Sequence, residues 1–421
     1  MIGHNKYMLF VSLTVLGLLL VSVFVNLKQN MYGVTNPTVD GQLQNAQLFD
    51  ANVRLSKAHI VTQYRPQALI LGTSRAEVGL EPTHPGWQYE RVYNLGLPQA
   101  SIYETKRYFE HALYAGELKQ VVLALDFFQF NPELAPLPGF KECRLHTSAS
   151  RISQFWAKLC DVPALYLSRK AFFSAFVQPN EGHENVYLND GSRGPLAKEM
   201  ELVNSGSQHA LFLRNEHHYY HDIGFYDGFN QAGASAFRQQ AFIDILKLAH
   251  EHKIDLRLLV SPSHARQWEV LAAKGLWETF NAWKLFLIET NSDLARAYGN
   301  DAFDLWDFAD YNKLSQTPPP PLDDSGSRIP WYWESSHYKK ELGNIVLDQV
   351  LLGKEVKIGR RITKQNWHAW KDEIERRRAL YQETERRSLT MMYEAIQSDE
   401  AILLHINALK ANALNGPTEQ T

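Results

Sequence analysis

Two short motifs hold residue types that can do chemistry together: Gly72-Thr73-Ser74-Arg75 and, far downstream, Glu334-Ser335-Ser336-His337. A serine hydroxyl is a weak nucleophile at neutral pH. It needs a base within hydrogen-bond reach, and the base needs a third group to orient it. A Glu three residues before a His supplies both from one loop, because its carboxylate reaches the imidazole nitrogen remote from the serine. The pattern therefore predicts Ser74 as nucleophile, His337 as general base and Glu334 as the orienting acid. The bland alternative is that Ser74 caps a helix and His337 is a surface histidine. The two motifs together, each after an expected strand, favour catalysis.

The elements that must position these groups follow from periodicity. Ala68-Leu69-Ile70-Leu71 is a short apolar run that reads as a buried strand, and Gly72 permits a sharp turn after it. Further strands are expected at 91–96, 121–125, 256–260 and 303–307. Helices are expected at 102–114 (closed by Gly116), at 241–252, over most of 268–298, and after His337 on Leu342, Ile345, Val346 and Val350. Unbroken apolar strands alternating with helices predict an α/β chain with a parallel sheet covered on both faces. Sites in such sheets lie at the carboxyl ends of the strands. Ser74, Gly96, Asp126, Ser261 and the 334–337 loop all follow a strand, so all fall on one edge. The stretch from 131 to about 235 exceeds ordinary loop lengths and predicts an inserted subdomain or lid. Pro318–Pro321 stiffens the approach to the Glu334 motif.

The N-terminus bears on location. Tyr7 to Asn26 carries no charge and has the length of a membrane-spanning helix. No small-residue cleavage site follows it, so an uncleaved signal anchor over 7–27 is expected, with 1–6 cytoplasmic and the bulk outside. Residues 28–64 read as a polar linker. The segment from 354 to 421 reads as a polar helical tail, with Glu373, Glu375 and Arg376–Arg378 on a solvated face. The net charge of −3 gives no sign of a nucleic-acid footprint. Cys143 and Cys160 are the only cysteines. Either a disulfide or two buried thiols fits the sequence.

The Gly72-Thr73-Ser74-Arg75 block, Asn94-Leu95-Gly96 and Glu334-x-x-His337 together resemble the SGNH/GDSL hydrolase superfamily. The likeness is to its membrane-anchored branch related to alginate O-acetylation and teichoic-acid D-alanylation proteins, and it spans roughly residues 65 to 352. The resemblance implies a flavodoxin-like three-layer parallel sheet over 65–353, interrupted by the insertion. It implies that Ser74 carries the acyl group, that His337 is the base, and that the Gly96 and Ser74 amides hold the oxyanion. The family's acid is usually Asp, whereas Glu334 stands here. Its third block often carries an oxyanion-binding Asn. The matching region, Leu125 to Asn131, offers Gln129 or Asn131 instead, since an ionised Asp126 cannot donate.

Other groups in the chain offer competing chemistry. His217, His218 and His221, with Asp222, invite a metal reading, but a substrate-facing or solvated loop is favoured and no metal is expected. His264, after Ser261-Pro262-Ser263, is a rival base or a substrate-binding neighbour of the site. Arg75 either binds a substrate carboxylate or pairs with a nearby Asp. Asp307 either supports the catalytic loop or only ends its strand. No phosphate-binding loop or dinucleotide fingerprint is present, so no cofactor is expected. The resulting expectation is an extracytoplasmic serine acyltransferase or esterase on the bacterial inner membrane. It would act in the periplasm on a cell-envelope glycan, with O-acetyl groups delivered by a membrane-bound donor protein. The alternative is a non-catalytic scaffold of the same fold in a polysaccharide assembly complex.

Overall fold

The strands form one sheet because their side chains alternate between two separate cores. Leu69, Leu71, Val121, Leu123, Leu125, Leu256, Leu258 and Val260 enter the larger core, whereas Ile70, Val122, Ala124 and Leu259 enter the smaller one. A period of two along buried strands places apolar residues on both faces, as a sheet covered on both sides requires. The computed structural model describes residues 2–29, 32, 46–146, 148, 150–174, 176, 186–221, 234–355 and 358–397.

In chain order, the long apolar helix α1 (Ile2–Gln29) is followed by α2 (Ala46–Ala51) and α3 (Val53–Tyr64). Then come β1 (Ala68–Leu71), α4 (Ser74–Gly79), β2 (Val92–Asn94), α5 (Ile102–Ala115) and β3 (Gln120–Leu125). The insertion carries α6 (Arg151–Cys160), α7 (Val162–Tyr166), α8 (Arg169–Ser174), α9 (Leu196–Ser205) and α10 (Gln208–His221). The alternation resumes with α11 (Ala234–Glu251), β4 (Asp255–Val260), α12 (Ala265–Ala273), α13 (Trp277–Tyr298) and β5 (Asp304–Asp307). It closes with α14 (Lys340–Leu352), β6 (Arg360–Arg361), α15 (Trp367–Thr384) and α16 (Arg386–Gln397).

The strand order is β2-β1-β3-β4-β5-β6. The first five strands are parallel, with Ala68 opposite both Val92 and Gln120. β6 adds antiparallel to β5, pairing Asp307 with Arg360. Its two exposed arginines blunt the sheet edge against further pairing. The order of the strands reverses between β1 and β3, so their carboxyl ends splay apart and leave a crevice. Ser74 follows one of these strands and Asp126 the other.

Two boundaries differ from the sequence reading. The segment after 354 is not a solvated arm within the described residues. Trp367, Trp370, Ile374 and Tyr381 recur at helical spacing along α15 and are buried in the larger core, as are Leu389, Met392 and Ile396 of α16. The many charges of α15 lie on its other face and hid this stripe. Likewise α3, placed in a linker, is packed inside: Arg54 and Lys57 are buried and pair with Glu104 at 2.5 Å and Glu77 at 2.8 Å. The remainder of the expected linker, 33–45, and the tail beyond 397 lie outside the described residues, as does Asp222. Cys143 and Cys160 form a disulfide that ties the turn Glu142–Arg144 to the end of α6. Asp307 accepts from Lys284 Nζ at 2.8 Å and Trp370 Nε1 at 2.9 Å, so it joins α13 and α15 to β5 rather than the site.

Candidate active site

The turn after β1 determines where Ser74 sits. Gly72 has φ +150°, and a Cβ there would stand 2.9 Å from the Ala124 carbonyl oxygen, so a side chain is excluded by conformation and by space. Thr73 then caps α4: its hydroxyl accepts from the Arg75 N–H at 3.3 Å and donates to Asp126 Oδ2 at 2.6 Å. Arg75 Nη1 donates to Asp126 Oδ1 at 2.7 Å. Asp126 thereby clamps the ends of β1 and β3 together. Ser74 is the one half-buried residue in a buried stretch from Ala68 to Leu80, so its hydroxyl faces outward from the sheet edge.

The other half of the site is a tight hairpin. Tyr332 and Tyr338 pair as an antiparallel bridge, and Trp333 N–H donates to the His337 carbonyl at 2.9 Å. This folding-back brings Glu334 against its own loop. Its Oε2 accepts from Ser336 N–H at 2.6 Å and its Oε1 from His337 N–H at 3.2 Å. Glu334 Oε1 also meets His337 Nδ1 in a short hydrogen bond. The far nitrogen of the ring, His337 Nε2, lies 2.8 Å from Ser74 Oγ. Ser74, His337 and Glu334 are thus joined in one hydrogen-bonded chain.

Electrostatics set the protonation states. Burial lowers the pKa of His337, and Lys198 lowers it further, against the opposing pull of Glu334. Burial acts to raise the Glu334 carboxyl, but His337, Lys198 and the Ser336 N–H outweigh it and bring it down to about 2. At neutral pH the arrangement is a carboxylate beside a neutral imidazole. Nδ1–H points at Glu334, and the Nε2 lone pair faces the Ser74 hydroxyl.

Lys198, from α9, was not marked by any sequence motif. Its Nζ lies 3.6 Å from Glu334 Oε1 and 3.5 Å from His337 Nδ1, and it donates to Glu201 Oε2 at 2.8 Å. It belongs to the insertion, whose helices α9 and α10 wall a cavity of about 450 Å³ over Ser74 and His337. Arg214, His217 and His218 of α10 line this cavity, as does Gln99, whose φ of +53° places it on a tight turn after β2. The histidine cluster therefore sits on a helix facing the cavity, with His221 held by the Ile396 carbonyl at 2.7 Å. Among the described residues no three His, Cys, Asp or Glu side chains form a metal-binding group.

The oxyanion roles expected of Gly96, Gln129 and Asn131 need correction. The Gly96 N–H donates to Asn94 Oδ1 at 2.9 Å and its carbonyl accepts from Lys57 Nζ at 2.7 Å, so this amide is committed to its own turn and not to an oxyanion. Gly96 is needed for close approach: a Cβ would lie 2.9 Å from Glu77 N. Gln129 is fully buried, its amide donating to Thr105 Oγ1 at 3.2 Å and its oxygen accepting from Asp126 N–H at 2.8 Å. Asn131 caps the turn after it, accepting from Glu133 N–H at 2.9 Å, and like Gln129 does not line the Ser74 cavity. Of the two readings of Arg75, pairing with an Asp is the one the geometry shows: the guanidinium is buried between Asp126, Ser336 Oγ at 3.1 Å and the rings of Phe128 and Tyr219, and it does not line the Ser74 cavity.

His264 is likewise fully buried. Its Nε2 bonds the Thr317 carbonyl at 2.7 Å, its Nδ1 accepts from Arg266 N–H at 3.2 Å, and burial lowers its pKa to about 3. It neither titrates near neutrality nor reaches Ser74. Its backbone N–H instead holds the Ser335 carbonyl at 2.9 Å, and Ser263 Oγ holds the Ser336 carbonyl at 3.2 Å. The rival Ser-His pair therefore supports the loop that carries His337. Neither family models nor curated proteins match this chain.

Proposed function

We propose that this protein is an extracytoplasmic serine acyltransferase or esterase with an SGNH-like site, acting on a cell-envelope or exported polysaccharide. The observation that carries the reading is the Ser74 Oγ–His337 Nε2–Glu334 chain, with a neutral base and an ionised acid. The 2-1-3-4-5 order of the parallel strands supports reading the sheet as flavodoxin-like. The α1 helix, apolar over His4–Lys28, is long enough to be a membrane span or signal anchor and supports a single-pass inner-membrane location.

His337 Nε2 takes the Ser74 proton as Oγ attacks the acyl carbonyl, and negative charge develops on the carbonyl oxygen. Ser74 N–H, at the first helical position of α4, has no intrahelical acceptor and is available to that oxygen. Two side-chain amides line the cavity, Gln99 and Asn215, and either can supply the second donor. Protonated His337 then hands its proton to the departing alkoxide, leaving acyl-Ser74. A sugar hydroxyl or water, deprotonated by His337, attacks the ester and releases Ser74. On this reading the acyl donor is a membrane partner.

The scaffold reading draws on one observation: the Gly96 amide and Gln129 are committed elsewhere, which reduces the oxyanion donors. Losing one such donor costs about a hundred- to a thousandfold in turnover. The purified protein is incubated with a chromogenic acetyl ester, with and without a sugar acceptor, and digested for mass spectrometry. Ester cleavage and an acetyl adduct on Ser74, both absent from Ser74→Ala, are expected. A wild-type protein that cleaves no ester, or a Ser74→Ala protein that retains its cellular function, returns the protein to the scaffold class, whereas ester cleavage that survives Ser74→Ala removes Ser74 as the nucleophile.

A further inference from the structure

Outside α1, seven of the fifteen exposed large apolar side chains of the described residues fall in one short segment, 152–176, and the other eight are scattered along the chain. Ile152, Phe155, Trp156 and Leu159 recur at i, i+3, i+4 and i+7 along α6, and all four point outward, with Ile152 71% and Trp156 63% exposed. A surface helix normally turns such a stripe to the core. Phe173 within α8 and Phe176 just after it, 60% and 69% exposed, add to the apolar surface of the segment. Contiguous exposed apolar surface of this kind marks contact with a partner or a membrane.

The position of the segment selects the partner. The end of α1 is fastened to it: Asn26 Nδ2 donates to the Tyr166 carbonyl at 2.9 Å and the Ser168 carbonyl at 3.3 Å, and Tyr32 OH to Ser168 Oγ at 2.9 Å. The apolar window of α1 runs from His4 to Lys28, so Asn26 marks the level at which the chain leaves the hydrocarbon. The exposed face of α6–α8 stands beside that exit. Exposed Arg151, Arg169 and Lys170 flank it, the mixture of aromatic and basic residues that suits the headgroup layer. The segment is also fixed to the domain rather than hanging from it. Asp161, between α6 and α7, is buried and held by Arg144 Nε at 2.5 Å and His59 Nε2 at 2.9 Å, and Cys160 is disulfide-bonded to Cys143.

We propose that α6–α8 is an interfacial foot: it lies in the headgroup layer of the bilayer with Ile152, Phe155, Trp156 and Leu159 dipped towards the acyl chains, and so seats the domain beside its own span. The inference rests on the reading of α1 as a span. The full chain is reconstituted into phosphatidylethanolamine–phosphatidylglycerol vesicles, with or without lipids brominated on the acyl chain near the ester, and floated on a density gradient. The α1 helix contains no Trp. The difference between wild-type and Trp156→Phe emission therefore isolates the foot. That difference signal is expected to lose most of its intensity in brominated vesicles. Protein that floats with Trp156 unquenched overturns the foot alone, whether a second copy or another membrane protein covers the face. Protein that does not float overturns the span and the foot together.

Discussion

At the scale of single residues, the Ser74–His337–Glu334 chain makes a prediction about additivity. Residues that act as one unit lose activity together, so Ser74→Ala, His337→Ala and the double variant should show nearly equal rates, each down by roughly 10³- to 10⁶-fold. Glu334→Gln should lose most of this activity as well, because the amide can hold the imidazole in the wrong tautomer, whereas Glu334→Asp keeps the charge and should cost less. Esterase rates, with folding checked by circular dichroism, decide; multiplicative losses in the double variant would sink the unit. Lys198 makes a separate prediction. Its charge disfavours protonated His337 and so lowers the pKa of the base. Activity that needs neutral His337 is lost as pH falls through that lowered pKa. Lys198→Met removes the repulsion, so the acid limb of kcat/KM should move to higher pH. A limb that stays in place would show that Lys198 only packs the insertion against the site.

At the scale of elements, the site depends on segments that look peripheral in the chain. The hairpin of Glu334 and His337 is held by α10 and α12: Ser335 Oγ lies 2.8 Å from Asn215 Oδ1 and 3.0 Å from Gln267 Oε1, and Tyr219 OH meets Ser336 Oγ at 2.8 Å. The α15–α16 pair closes the core behind α12, where Arg378, Gln382 and Tyr393 converge on buried Glu269. Trp370 is the key contact of α15, packed in the core with its Nε1–H on Asp307. Trp370→Ala should destabilise by roughly 3–5 kcal/mol through the cavity it leaves. Trp370→Phe keeps most of the ring and should cost less. Thermal unfolding in detergent measures both. A Trp370→Ala protein that melts with the wild type would mean that α15 is dispensable, as a solvated tail would be.

At the scale of the whole molecule, topology and redox state are linked. Disulfides persist in oxidising compartments, and the Cys143–Cys160 bond lies in the domain that follows α1. If α1 is an anchor with residues 1–6 in the cytoplasm, a phosphatase fused to the C-terminus should be active, and both cysteines should resist alkylation until a reductant is added. An inactive fusion together with freely alkylated cysteines would place the domain on the other side.

Much of this architecture was legible in the chain because it is local. The apolar runs of β1, β3 and β4, the turn at Gly72 and the Glu334-x-x-His337 spacing each depend on neighbours a few residues apart, and periodicity reports them directly. A span-length apolar helix is equally local. Buried aromatic residues spaced along a charged helix leave a weaker signal, and α15 looks solvated for that reason: a narrow stripe is outvoted by the composition around it. What the sequence left open was where the long loops and polar side chains go. Ser74 and His337 are 263 residues apart, and Lys198 is 139 residues from His337. Nothing in the local pattern of α9 marks it as a wall of the cavity. The commitment of Gly96, Gln129, Arg75 and His264 to internal partners was equally invisible, because a polar side chain's role depends on which donors and acceptors the fold brings within about 3 Å of it, and that is decided only when distant segments pack.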